Sequence, residues 1–137
     1  MTFNKSVFIF TLLFLFSGFA QAEKIKHGNW QMTFKVSIKG LPMELPTQTH
    51  TSEQCLTKEN EIPKSNDNKD CNFKMLERTE NKYSWEMTCK DSGMSGKGEM
   101  NFKGKTMQGY FKAQGSMQGM NMEMNSEITG KYLGKCK

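Results

Sequence analysis

Residues Trp30–Lys39, "WQMTFKVSIK", alternate without a fault. Trp30, Met32, Phe34, Val36 and Ile38 fall on one parity, and Gln31, Thr33, Lys35, Ser37 and Lys39 on the other. A period of two over this length describes a β-strand with one face in a core and the other in water. "GLPMELP" breaks the pattern with Pro42 and Pro46, which mark a turn or an irregular edge. Thr47 to Cys55 is β-branched and alternating, so a second, more polar strand is expected there.

The same logic resumes after Cys71. "NFKMLER" and "KYSWEMTC" flank a turn at "TEN", with Tyr83, Trp85, Met87 and Cys89 on one parity. "GKGEMNFK" and "TMQGYFKAQ" are joined at Lys103–Gly104–Lys105. Seven glycines between Gly93 and Gly119 keep no fixed period, which argues for bulges, close approach or curvature and against a solenoid. No stretch carries a long amphipathic helix. The expected fold is all-β: an antiparallel meander forming a curved sheet or a small open or closed barrel.

Upstream lies a segment of another kind. Lys5 precedes the apolar run Val7–Phe16, and Ala20–Gln21–Ala22 offers small residues at a cleavage position. Residues 1–22 therefore read as a secretory signal peptide cut after Ala22, leaving a single β domain over residues 23–137. No second apolar run follows, so no membrane-spanning segment is expected in the mature chain. Net charge is +5, of which Lys5 leaves with the leader. That mild, dispersed excess suits an anionic envelope component and lacks any motif for nucleic acid.

Four cysteines, Cys55, Cys71, Cys89 and Cys136, all lie beyond the leader. An even count in an exported small domain reads as two disulfides. Of three possible pairings, Cys55–Cys71 with Cys89–Cys136 is preferred, because the first pair brackets the polar stretch 57–70, "TKENEIPKSNDNKD". That stretch is expected to be a surface loop stapled by its flanking cysteines, with Thr57 capping a short helical turn that ends by Pro63. Zinc is disfavoured: there is no C-x-x-C, and His27 and His50 hold no ligand spacing to a cysteine.

"MQGMNMEMN", Met117–Asn125, admits two readings. Thioethers select Cu(I), and Met117, Met120, Met122 and Met124 make an M-x-x-M-x-M-x-M series, with Met100 or Met107 as further ligands. Against this, the parity of Met120, Met122 and Met124 continues through Ile128, Tyr132 and Cys136, residue types that prefer burial. Same-face strand neighbours stand about 6.7 Å apart, so three in a row do not converge on one ion without a sharp bend. The core reading is preferred, and no cofactor is expected.

Catalytic motifs are missing: no G-x-S-x-G, no H-E-x-x-H, no paired carboxylates. His50, Ser52 and Glu53 lie close in sequence, but neighbours on a strand point to opposite faces and make no relay. An enzyme is not expected. A curved sheet bearing Trp30, Phe34, Tyr83, Trp85, Phe111, Met122 and Met124 either packs solid or closes around a small apolar ligand. A non-catalytic binding or interaction protein is thus the expected class, with Cu(I) handling or a protein-interaction module as alternatives.

Several stretches taken together, "HGNWQMTFKV", "QTHTSEQCLT", "DCNFKMLE", "YSWEMTCK" followed by "GMSGKGEMNF", and "ITGKYLGKC", resemble a family of small secreted bacterial proteins, domain of unknown function 3617. The resemblance rests on a Gly-x-Trp opening (Gly28, Trp30), a Cys-Leu-Thr segment (Cys55–Thr57) and a Leu-Gly-x-Cys ending (Leu133–Cys136). It implies a Gram-negative periplasmic or secreted setting and brings no activity, cofactor or catalytic residue.

Overall fold

The structure, a computed structural model, describes residues 24–62 and 70–137, without the Met117 side chain. The expected leader and residues 63–69 of the polar stretch lie outside the described residues. Within them the chain forms β1 (Gly28–Lys39), β2 (Gln48–Leu56), β3 (Cys71–Arg78), β4 (Lys82–Cys89), β5 (Ser95–Lys103), β6 (Thr106–Met117) and β7 (Met120–Gly134). All pairings of these strands are antiparallel, in the order β2-β1-β7-β6-β5-β4-β3. The meander runs from β3 to β7, and the β1–β2 hairpin joins it because the last strand lies beside the first. β2 and β3 are left as edges, so the sheet is open and curved.

Curvature shows in the aromatic contacts. Trp30 on β1 meets Phe102 on β5 with ring centroids 5.6 Å apart. Three flat strand spacings would separate those strands by about 14 Å. Trp30, Met32, Tyr83 and Met100 are fully buried on this concave face, beside Trp85, Phe102, Met107, Leu56 and Ile128. The curl requires glycine beneath the largest side chains. A methyl group at Gly98 would overlap the Trp85 indole, and one at Gly130 would collide with the Met107 side chain. Gly98 and Gly130 are thus places where a large side chain of the next strand lies against the sheet.

The two disulfides are Cys55–Cys136 and Cys71–Cys89. This overturns the preferred pairing of Cys55 with Cys71 and Cys89 with Cys136, and with it the stapling of 57–70 by its own flanks. The reason is topological. Cys71 sits directly opposite Cys89 in the β3–β4 register, and Cys55 opposite Asn29, whose other neighbour is Gly134 at the end of β7. Sequence proximity pointed to the wrong partner because β2 and β3 are opposite edges of the sheet. In the chain-entropy picture the 18-residue separation contributes about 3 kcal/mol and the 81-residue separation about 4.5. Thr57 starts no helix either; Asn60 N–H bonds the Thr57 carbonyl at 3.1 Å in a tight turn.

Candidate functional site

The concave face has two halves. At its closed end, the segment after β2 brings Glu61 across to β3. Arg78 Nε and Nη2 donate to the two Glu61 carboxylate oxygens at 2.8 and 2.6 Å, and His27 Nε2 lies 2.9 Å from Oε1. The Tyr83 hydroxyl donates to the Glu61 backbone carbonyl. Glu61 is 4% exposed, so its charge is tolerable only because planar, two-point pairing replaces water. The Arg78 hydrogen bonds hold this carboxyl below its ordinary range against the opposing effect of burial, with His27 adding to the lowering. Burial, with the Glu61 charge beside it, pushes the Tyr83 phenol up. The cluster ties the chain leaving edge β2 to edge β3, and Trp30 Nε1 donates to the Lys26 carbonyl beneath it at 2.9 Å.

Of the residues expected to line a pocket, Trp30, Tyr83 and Trp85 belong to this closed end, where they fill space. Phe34 and Phe111 are partly buried at the boundary, with Phe111 stacked on Trp85 at 6.3 Å. Met122 and Met124 lie in the other half. There Met87, Cys89 and Ala113 form a second small cluster, against which Met94, Phe111 and Met124 pack. The β1–β7 side of the same half is less covered. Val36, Ile38, Met120 and Met122 are only half-buried, and they are contiguous in register, with Ile38 opposite Met124 and Val36 opposite Ser126. By register Gln48 and His50 of edge β2 face the same side, opposite Val36 and Phe34, and give the strip a polar border.

The methionine stretch resolves into a hairpin. Gln118 and Gly119, at φ 51° and 80°, make the two-residue turn between β6 and β7, so the M-x-x-M spacing of Met117 and Met120 is turn geometry. Met120, Met122 and Met124 share the inward parity with Ile128 and Tyr132. That register ends at Gly134; Cys136 lies past it and is exposed. Met100 and Met107 are buried at the closed end. By register they stand about 13 and 20 Å along the strands from Met124, too far to join it on one ion.

Two residues that sequence reasoning passed over belong to the inward face. Glu61 carried no periodic signal, and its partner stood out by residue type alone: Arg78 is the single arginine among nineteen basic residues. Ser126 has the inward parity of β7, between Met124 and Ile128, directly opposite Val36 and Phe111. It is 7% exposed, and its Oγ has no hydrogen-bond partner. A polar residue in an apolar register was the signal that could have found it. On the outward face, a depression of about 740 Å³ is lined chiefly by Glu86, Lys97, Tyr110, Lys112, Gln114 and Glu123. None of the expected pocket residues borders it, and its mixed charges are those of a solvated sheet face.

Among the described residues no group of three or more His, Cys, Asp or Glu side chains is placed to hold a metal ion. No helix among them is long and apolar enough to cross a membrane, and the two disulfides imply an oxidising compartment. Residues 25–136 match the family DUF3617, described as a protein of unknown function. No curated protein and no solved structure matches the chain.

Proposed function

The chain belongs to the DUF3617 family, and we propose that it is an exported, periplasmic, non-catalytic protein that binds a small apolar ligand on the open half of its concave face. One observation carries the reading: the half-buried run Val36, Ile38, Met120 and Met122 continues, in register, an apolar face whose other end is fully buried. Single exposed apolar residues are ordinary on any surface, whereas a contiguous inward strip on a curved sheet marks a place that something covers. Methionines suit a ligand of variable shape, because their unbranched side chains repack at low cost. Export is supported by the disulfides and by the leader-like pattern of residues 1–22.

The test is native mass spectrometry of the protein isolated from periplasmic extract, beside the Ile38→Glu/Met122→Glu double variant. A small neutral adduct on the wild type, lost in the variant, is the expected result. A copper adduct, or a wild type that stays bare through a titration with 1-octanol, would overturn it.

A further inference from the structure

Ser126 sharpens the chemistry of that ligand. Its hydroxyl sits in the middle of the inward face, with Val36 and Phe111 directly across on either side and Met124 and Ile128 along its own strand. It is more than nine-tenths buried and has no hydrogen-bond partner. A buried hydroxyl left unsatisfied is disfavoured, and alanine or valine would suit these neighbours better. The position also lies where the solid packing of the closed end gives way to the half-covered strip.

We propose that the ligand is an uncharged amphiphile: an apolar chain carrying one hydrogen-bonding group, an alcohol, ester or amide, which pairs with Ser126 Oγ. The inference rests on the reading of the concave face given above. The polar end lies innermost, and the chain runs outward over Ile38, Met122 and Met120. Flexible Met124 and its neighbours swing to admit it. Charge is excluded by the surroundings. The inward positions Phe34–Ile38 on β1, Phe111–Gly115 on β6 and Met120–Ile128 on β7 hold no ionisable side chain, and His50 on edge β2, opposite Phe34, is exposed. A carboxylate seated there would lose its hydration without a cation in return. Free fatty acids are therefore poor ligands, and their neutral derivatives good ones.

The experiment follows the methionine methyl resonances of the wild type and of Ser126→Ala during titration with octane, 1-octanol and octanoate. In the wild type, 1-octanol should bind about five- to tenfold more tightly than octane, the worth of one net hydrogen bond, with octanoate weakest. Ser126→Ala should fold normally, gain stability and lose the preference for the alcohol over octane. A preference that survives in Ser126→Ala, or octanoate as the tightest ligand, would overturn the assignment of Ser126 while leaving the apolar site in place. No shift with any of the three would remove both the site and this inference.

Discussion

Trp30 and Met122 face the same side of one sheet and live in different environments. Around Trp30, the indole meets Phe102 and Tyr132 edge-on at 5.6 and 5.3 Å, and the Glu61–Arg78 pair closes the end below. Around Met122 the inward side chains are only half-covered, and where edge β2 borders the strip, opposite Val36 and Phe34, it offers glutamine and histidine in place of aliphatic groups. The difference shows how one curved sheet divides its work. Aromatics and fully buried methionines fill one end, while half-covered aliphatic and thioether chains line the other.

The largest losses are expected at the closed end. Trp30→Ala should cost about 3–5 kcal/mol, the usual loss for an aromatic removed from a packed core, read as a lowered urea midpoint. Arg78→Ala comes next, at about 3 kcal/mol, because it strands a buried carboxylate with only His27 beside it. Acid should reveal the same pair. The Glu61 carboxyl sits below its ordinary value of 4.5, so its contribution is complete above that pH and fades as pH falls through the lowered value. Glu61→Gln should flatten the fall in stability below pH 4.5, measured as urea midpoint against pH.

At the open end, the effects should shrink. Met122→Ala should cost about 1 kcal/mol, since a half-covered side chain leaves little cavity behind, and an equal loss to that of Trp30→Ala would erase the distinction. Smallest of all is Lys74→Ala. Its pair with Glu86 at 3.6 Å is on the surface, so thermal unfolding should move by no more than about 0.5 kcal/mol equivalent.

Local pattern made much of this legible. The strict alternation of Trp30–Ile38 and Tyr83–Cys89 names the inward residues of β1 and β4, and the turns at "TEN" and Lys103–Lys105 fall where the strands reverse. Met120–Met124 read as inward by the same parity. What stayed hidden depends on contacts between distant stretches. That β7 lies against β1, and so delivers Cys136 to Cys55, is not written in either strand's own alternation. Glu61 follows a turn in a charged segment, where burial is the last thing composition suggests, until the sheet curls and brings Arg78 to it. Ser126 was legible in principle, as a serine set between Met124 and Ile128 in the inward parity of β7.

The Cys55–Cys136 link has a consequence for biogenesis. Any route that delivers the polypeptide N-terminus first presents Cys55 with two thiols, Cys71 and Cys89, before Cys136 arrives. If Cys55 is oxidised before Cys136 arrives, its bond is mismatched and the native one has to be reached by thiol–disulfide exchange; early pairing of Cys71 with Cys89, opposite each other in one hairpin, avoids this. On such a route the yield of the native Cys55–Cys136 bond should depend on a disulfide isomerase more than on how fast the strands themselves pair.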